Sequence, residues 1–356
     1  MTSEMNENNI KEEAFRLCKD FLGQPWTDIP ISKFSISTVS GGVSNALYCC
    51  SLANDVVIEN ANTPRRVLLR IYGPLQEEEH KKVTETTTFV ILSEKKLGPK
   101  LYGVFPNGRI EEYIPSKHLP SHDLRRLSTS IARSMAKIHA LNLPLRKAPD
   151  TWLNHVTKWL EDIKNFRARE TTEVVMYKEE MDFLRKEIKN FSSPSVFCHN
   201  DLVQGNILLP DECADDLEPN LIIIDFEFGG YNCRSHDIAN HLCEWAYDYD
   251  VSEPPYFTFD INRYPTEEEK IRFIQSYVNQ LVLEKIIKPS EIEAETNKIL
   301  KEIEFFNMAT QLYWAVWGEK NKSDAKVGIF HQENLKTRMT SYWRFKKNYL
   351  AKRACE

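Results

Sequence analysis

The chain lacks long apolar runs: none of its segments approaches the roughly 20 consecutive apolar residues that a membrane-spanning helix needs. Its opening segment, MTSEMNENN, contains neither an apolar stretch nor a basic start, so no secretory signal is expected. Together these absences lead us to expect a cytoplasmic protein without a membrane span.

Concentrated basic surface is also lacking. Lys and Arg number 46 against 52 Asp and Glu, the net charge is -6, and the basic pairs are scattered along the chain. A nucleic-acid partner is therefore not expected, because it would require clustered positive charge. The 8 cysteines occur in no metal-binding spacing, so we expect reduced thiols.

What the chain does contain is a series of short apolar runs that end in polar side chains, within residues 196–245. The series reads VFCHNDLVQGNILLP, then a polar loop, then LIIIDFEFGGYNCRSHDIANHLCEW. Asp201 and Asn206 are five positions apart, and Asp225 ends the third run. Apolar runs supply rigidity and their ends supply exposed groups, so this pattern predicts a functional site.

The residue types in this series suit phosphoryl transfer. Transfer from ATP needs a carboxylate that orients an acceptor hydroxyl and takes its proton, and oxygen ligands for Mg²⁺. Protein kinases supply these groups with H-R-D-x-x-x-x-N and D-F-G, and this chain has matching H-N-D-x-x-x-x-N and D-F-E segments. We predict Asp201 as the catalytic base. Asn206 and Asp225 are the predicted Mg²⁺ ligands, and Gln204 is a predicted catalytic contact to phosphate or metal.

Supporting roles are predicted for the neighbouring polar residues. His199 is expected to order the loop by hydrogen bonding, and Asp237 to act as a buried acceptor that fixes the loop. Glu227 either binds the metal or supports a ligand, and the sequence leaves both possibilities open. His139 closes a helical pattern, and we give it no catalytic role.

The pattern I-D-F-E…Y-N-x-R…D-I-x-N-H…E-W resembles the choline/ethanolamine kinases over roughly residues 39–343. The resemblance implies an α+β, two-lobed protein-kinase-like fold, with a small antiparallel-sheet N-lobe and a larger, mainly helical C-lobe. We place a disordered N-terminus at 1–10, the nucleotide-binding lobe at 11–115 and the catalytic and substrate-binding lobe at 116–356. The resemblance also implies ATP, Mg²⁺ and a homodimer.

Between two strand-like segments lies a glycine turn that contains Gly41, Gly42, Ser44 and Asn45. Glycines let backbone N–H groups approach a phosphate, and the polar side chains add contacts. No G-K-[ST] follows, so this is not a Walker A loop. An ordinary hairpin is the alternative, and the position ahead of the catalytic loop favours nucleotide binding.

Arg70 stands on the strand where protein kinases carry a phosphate-binding lysine. Arginine can bind phosphate in a fork, and the resemblance implies this role. Glu85, on the following helix, is the predicted ion-pair partner of Arg70. The acids at 77–79 are competing partners, and a solvent-facing role for Glu85 is the alternative.

The resemblance places the interlobe hinge at Glu112, Tyr113 and Ile114, whose backbone groups are expected to contact adenine. ATP would then bind in the cleft between the lobes.

Choline carries a quaternary ammonium without an N–H, so only shape, aromatic faces and negative charge can recognise it. Aromatic residues gather downstream of the catalytic segment, and the alternative for any one of them is a place in the core. The resemblance assigns the substrate-binding positions to Phe228, Glu244, Tyr249, Trp314, Trp317 and Phe330.

We therefore predict Mg²⁺-dependent transfer from ATP to choline, giving phosphocholine in the first step of phosphatidylcholine synthesis by the nucleotide-linked route. An ethanolamine kinase or a dual choline/ethanolamine kinase is the main alternative. A phosphotransferase for aminoglycosides or other alcohols would not be expected to keep the E-W-x-Y-D-Y string. A non-catalytic kinase fold used for binding is disfavoured because the base and the metal ligands are all present.

Overall fold

The computed structural model divides the chain into two compact units, Met1–Lys117 and His118–Glu356. None of the described helices is long and apolar enough to span a membrane. The structure describes residues 7–39, 45–73, 79–117, 119–167, 171–213, 216–324 and 327–354.

The first unit is built on a five-stranded antiparallel sheet with the strand order β1-β2-β3-β5-β4. Its core is formed by the buried side of this sheet and the apolar face of the first helix. The elements are α1 (Glu7–Leu22), β1 (Phe34–Thr38), β2 (Asn45–Leu52), β3 (Arg66–Tyr72), α2 (Glu79–Glu94), β4 (Leu101–Phe105), β5 (Gly108–Glu112) and the short β6 (Ser116–Lys117).

The helix α1 begins earlier than the sequence pattern indicated. Disorder was predicted for residues 1–10, but α1 already includes Glu7, so that prediction is wrong for residues 7–10. Ile10 lies four positions before the buried Ala14 and therefore extends the apolar face of the helix by one turn. Residues 1–6 lie outside the described residues.

The second unit is mainly helical, with three pairs of short strands and connecting segments between its helices. Together with the small antiparallel sheet of the first unit, this agrees with the predicted α+β class. Its elements are α3 (Asp123–Arg126), α4 (Ser128–His139), α5 (Thr151–Arg167), α6 (Thr172–Glu187), β7 (Ser195–Cys198), β8 (Ile207–Pro210), β9 (Ile222–Ile223), β10 (Gly230–Cys233), α7 (Arg234–Glu244), β11 (Tyr247–Asp248), β12 (Thr258–Phe259), α8 (Glu267–Leu283), α9 (Ile292–Asn321) and α10 (Gly328–Arg353).

Two antiparallel strand pairs position the polar residues within residues 196–245. β7 pairs with β10, so Cys198 lies opposite Gly230, and β8 pairs with β9, so Ile207 lies opposite Ile223. The predicted catalytic loop therefore begins at the end of β7, and the predicted D-F-E segment begins just after β9. Behind them α7 packs on α9, and α9 packs along α10.

Candidate active site

The catalytic loop, residues 199–206, is fixed by Asp237 in the first turn of α7. One carboxylate oxygen of Asp237 accepts the His199 N–H at 2.8 Å, and the other accepts the Asn200 N–H at 2.7 Å. The predicted role of Asp237 is thus confirmed. The ring of His139 also bonds to Asp237, at 3.0 Å. Burial alone would raise the pKa of Asp237, but the hydrogen bond and charge of His139 outweigh it and lower the pKa to about 2.

His199 joins the loop to the segment that carries Asp225. Its Nδ1 accepts the Asp201 N–H at 3.2 Å, and its Nε2 lies 2.8 Å from the Ile224 carbonyl, so Nε2 carries the proton. Burial lowers the pKa of His199, which keeps the ring neutral. These contacts confirm that His199 orders the loop by hydrogen bonding.

The predicted base and metal ligands come together around Asn206. Its Nδ2 donates to the backbone carbonyl of Asp201 at 2.9 Å and to the Asp201 carboxylate at 3.4 Å. The Asn206 carbonyl accepts the Ile224 N–H at 3.0 Å, which brings the next residue, Asp225, to the same place. Asp225 has a φ of 65°, a left-handed conformation that changes the direction of the backbone after β9.

Negative charge accumulates around Asp201. Burial raises the pKa of Asp201 well above its ordinary value, and neighbouring carboxylates add to this effect. These carboxylates belong to Glu244, Glu227 and Asp225, while the Arg338 guanidinium opposes them. Because Glu244 and Arg338 form an ion pair, the carboxylates of Glu227 and Asp225 are the remaining acids that act on Asp201.

The side chains present fit a Mg²⁺ ion. The amide N–H of Asn206 is directed at Asp201, so its Oδ1 is available as an oxygen ligand beside the Asp225 carboxylate. Gln204 is only 3% exposed, yet within the described part of the chain both polar atoms of its amide have no hydrogen-bond partner. A hard cation would bind to these oxygen atoms. The cation or its bound phosphate would also give the buried amide of Gln204 a partner.

In the first unit Arg70 belongs to a buried network of ion pairs. Its Nε donates to Glu111 at 3.0 Å, and Glu111 also accepts from Arg109 at 3.3 Å. Glu85, predicted as the partner of Arg70, forms an ion pair with Arg109 in this network, at 2.7 Å. Burial opposes the charge of Glu111, but Arg109 and Arg70 outweigh it and lower the pKa of that carboxyl. The competing acids at 77 and 78 lie outside the described residues.

The strand register explains why Glu111 is needed. Arg70 lies directly opposite Arg109 across β3 and β5, so two like charges face each other in a buried part of the sheet. A carboxylate between them removes the repulsion and the cost of burying unpaired charge. The sequence alone did not indicate this pairing, because it depends on the cross-strand register.

Three residues of the predicted phosphate loop, Gly41, Gly42 and Ser44, lie outside the described residues. The fourth, Asn45, is buried at the start of β2, and its Oδ1 accepts the Gly73 N–H at 3.3 Å. This contact ties the end of the predicted loop to the end of β3.

The predicted adenine-contacting segment follows β5. The N–H of Glu112 donates to the Lys100 carbonyl at 2.8 Å, so this donor is used within the sheet. The ring of Tyr113 has an arginine guanidinium 5.1 Å from its centroid. The carbonyl of Ile114 accepts the hydroxyl of Ser116 at 3.2 Å.

The predicted substrate-binding rings form a continuous series in the second unit, which we call the aromatic wall. Neighbouring ring centroids in the wall are 4.7 to 6.3 Å apart. One member, His331, was not predicted; it lies between two of the predicted rings. In spatial order the wall consists of Phe228, Trp314, Trp317, His331, Phe330 and Tyr249.

The two tryptophans of the wall differ in their surroundings. Trp314 is buried, and its indole N–H donates to Asn240 at 2.7 Å. Trp317 is perpendicular to Trp314 and half-buried, so part of its ring remains accessible. The wall is joined to the catalytic loop at its first ring, because the Asn200 amide donates to the Phe228 carbonyl at 2.9 Å.

Glu244, a predicted substrate-binding residue, lies in a buried ion pair. It forms a 2.8 Å ion pair with Arg338, and their side chains are only 1% and 4% exposed. The Tyr249 hydroxyl donates to Glu244 at 2.8 Å and accepts from Arg338 at 2.9 Å. A buried carboxylate without a partner would be too costly, so the pair with Arg338 accounts for the burial of Glu244, and its contact to the substrate stays a prediction. Arg338 also lies 3.9 Å from the ring of Tyr247.

A predicted base on a fixed loop, amide and carboxylate oxygens beside it and a two-unit α+β architecture are typical of a phosphotransferase of the protein-kinase-like fold. The family model for choline/ethanolamine kinase matches residues 36–343, and the chain belongs to that family.

Individual relatives agree with this assignment. A mouse choline/ethanolamine kinase is 37% identical over 95% of this chain and 87% of the relative, and mouse choline kinase alpha is 32% identical over 96% and 82%. The crystal structure of a choline kinase from Cryptosporidium parvum matches 96% of each chain, with 26% identity and a TM-score of 0.78. The predicted family and fold are confirmed.

Proposed function

We propose that the protein transfers the γ-phosphoryl group of ATP to the hydroxyl of choline, giving phosphocholine and ADP. One observation carries the proposal: the Asn200 amide bonds to the Phe228 carbonyl and so joins the catalytic loop to the aromatic wall. A cation held on these rings would present its hydroxyl near Asp201. The product would enter phosphatidylcholine synthesis by the nucleotide-linked route.

Asp201 is the group that would orient the acceptor hydroxyl and receive its proton as the phosphoryl group is transferred. The backbone on both sides of Asp201 is fixed by Asp237 and His199, so the carboxylate is held in position before the substrate arrives. Burial raises the pKa of Asp201, and a higher proton affinity makes it a better acceptor. Phosphoryl transfer demands positioning more than strong basicity, which suits a carboxylate.

Asn206 and Asp225 would hold Mg²⁺, with Gln204 contacting the metal or a phosphate oxygen. The unsatisfied buried amide of Gln204 supports this assignment. Bound Mg²⁺ would supply positive charge to the phosphate oxygens. Glu227 is exposed and close enough to raise the pKa of Asp201, so it would take part through its charge.

We assign nucleotide binding to residues 11–115 and catalysis with substrate binding to residues 116–356. Arg70 would contact phosphate. Glu111 supports this role because it accepts a hydrogen bond from Nε of Arg70 and so holds the guanidinium group in place. The other proposed nucleotide contacts are Glu85 through the same network, the loop residues Gly41, Gly42, Ser44 and Asn45, and the backbone of Glu112, Tyr113 and Ile114.

The trimethylammonium group of choline would lie against the aromatic wall. Aromatic faces attract such a cation, and the surplus of carboxylates around Asp201 adds a favourable field. Trp317 offers an accessible ring, and Phe330 and Tyr249 continue the wall on its far side.

A homodimer and a cytoplasmic location are proposed from the family resemblance. Sedimentation would test the first and cell fractionation the second.

The first test is an ADP-release assay with ATP and Mg²⁺, in which choline and ethanolamine are varied separately. For Asp201→Asn we expect kcat to fall roughly 100- to 10,000-fold, since general base catalysis is lost while the shape is kept. The matched control is Asp211→Asn, an exposed acid in the following segment, which should leave kcat within two-fold. Unchanged turnover in Asp201→Asn, or turnover of neither amine by the wild type, would refute the proposal.

A further inference from the structure

Arg109 lies at the centre of the buried ion-pair network of the first unit. Its Nη1 is 2.7 Å from the Glu85 carboxylate, and its Nε donates to Glu111 at 3.3 Å. Glu111 in turn accepts from Nε of Arg70 at 3.0 Å. These contacts form a relay that leads from α2 across β5 to β3, in the order Glu85, Arg109, Glu111 and Arg70.

The relay is almost closed to water. The side chains of Arg109 and Glu111 are 3% and 2% exposed, and those of Arg70 and Glu85 are 6% and 11% exposed. Burial opposes the charge of Arg109, but Glu111 and Glu85 outweigh it and raise the pKa of the guanidinium, which stays a cation. Because solvent cannot replace a lost partner, a change at one member is expected to shift its neighbours.

Arg109 also anchors α2 to the sheet. Glu85 and Phe89 are four positions apart on α2 and therefore lie on the same face of the helix. Both contact Arg109, since its guanidinium carbon lies 4.2 Å from the ring centroid of Phe89. On the other side, the Tyr72 hydroxyl at the end of β3 accepts from Nη1 of Arg109 at 3.2 Å. A movement of α2 would therefore act on the guanidinium of Arg109.

We propose that Arg109 is a positioning residue for the nucleotide phosphates: it holds Glu111, and through Glu111 the guanidinium of Arg70, in one orientation that α2 sets. The inference rests on the proposed function, in which Arg70 contacts phosphate. A guanidinium binds phosphate best through two parallel N–H donors, so rotation of its plane loses one of them. Holding the plane before the nucleotide arrives also lowers the entropy cost of binding.

The test uses ADP and adenosine, which differ only in the two phosphates, and measures their dissociation constants by titration calorimetry with Mg²⁺ present. The main variant is Arg109→Lys, which keeps the positive charge but lacks the planar fork that joins Glu85 to Glu111. We expect the Kd of ADP to rise about ten-fold, the size of one hydrogen bond to a charged group. The Kd of adenosine should stay within two-fold, because Arg109 acts only on the phosphate contact. In turnover, the KM of ATP should rise and the KM of choline should stay within two-fold.

Two further variants accompany Arg109→Lys. Glu85→Gln changes the less buried end of the relay, so it tests the same contacts if the lysine variant does not fold; the Kd of ADP should rise about three-fold. The matched control is Arg65→Met in the same unit, whose half-buried guanidinium donates to the carbonyls of Ala53 and Val56 at 2.7 and 2.8 Å. It should leave both dissociation constants within two-fold.

The double variant of Arg70→Met and Arg109→Lys decides whether Arg109 acts through Arg70. If it does, adding Arg109→Lys to Arg70→Met should weaken ADP binding no further, whereas two full additive losses would overturn the inference. Equal losses for ADP and adenosine, or unchanged ADP affinity in the folded Arg109 and Glu85 variants, would overturn it too. If Arg70→Met alone leaves ADP affinity unchanged, the proposed phosphate contact fails and takes the inference with it.

Discussion

The ion pair between Arg338 and Glu244 yields the sharpest prediction about stability. Replacing Arg338 by methionine keeps most of the side-chain volume but leaves the Glu244 carboxylate buried without its cation. The change also removes one hydrogen bond to Tyr249 and one to Asn334. Since both partners of the pair are almost fully buried, solvent cannot replace the lost interactions.

The expected size follows from the 2.8 Å separation of the charged atoms. At an effective dielectric constant of about 20 the attraction is about 6 kcal/mol, before the cost of desolvation is subtracted. Removing one partner of a buried pair typically costs about 3–5 kcal/mol. We therefore expect Arg338→Met to lower the free energy of unfolding by about 3–5 kcal/mol. Glu244→Gln should cost less, about 1–3 kcal/mol, because the amide oxygen still accepts from Arg338, although the second oxygen, which accepts from Tyr249, is replaced by an NH₂ group.

The measurement is urea unfolding followed by circular dichroism, for both single variants and the double variant. Loss of Glu244 should matter less once Arg338 is gone, so the double variant should be more stable than additivity predicts by about 2 kcal/mol. The matched control is Lys336→Met on the same helix, whose ion pair with Glu333 is exposed and should contribute less than about 1 kcal/mol. A coupling below about 0.5 kcal/mol, or equal losses for Arg338→Met and Lys336→Met, would refute the reasoning.

Two further variants test the catalytic loop and the wall. The depressed pKa of Asp237, about 2, contributes stability that is present above its unfolded pKa near 4 and is lost as the pH falls through 2. Asp237→Asn should therefore be destabilised by about 2 kcal/mol at pH 7, and its unfolding free energy should fall less than that of the wild type between pH 5 and pH 3; parallel curves would contradict this. Trp317→Ala should raise the choline KM roughly 2- to 30-fold with kcat nearly unchanged, because a cation–π contact contributes about 0.5–2 kcal/mol. The exposed Trp343→Ala is its control, and equal KM changes in the two tryptophan variants would assign Trp317 to the core.

Interactions within the segment of residues 196–245 could be predicted well from the sequence. The spacing of Asp201, Asn206 and Asp225 indicated one site, and the structure brings these residues together across two short strand pairs. The roles of His199 and Asp237 in ordering the loop were also predicted and are confirmed. These predictions succeed because apolar runs of strand length place the residues at their ends in a small number of ways.

Partners that join this segment or the first unit to other elements could not be predicted. Arg338 is 94 positions from Glu244, and Glu111 is 41 positions from Arg70. Nothing local distinguishes such a charge from the many solvent-exposed charges around it. The missed pairings all satisfy a buried group whose need for a partner becomes apparent only when its burial is known.

The sequence by itself determined the class of chemistry and the family, because phosphoryl transfer needs particular side chains at spacings that short strands enforce. Only the tertiary structure decided that Glu244 is neutralised and that His331 completes the aromatic wall. The reason is physical: the first contact joins α7 to α10 and the second joins α9 to α10, and packing between helices is set by side-chain volumes along both partners rather than by any local pattern.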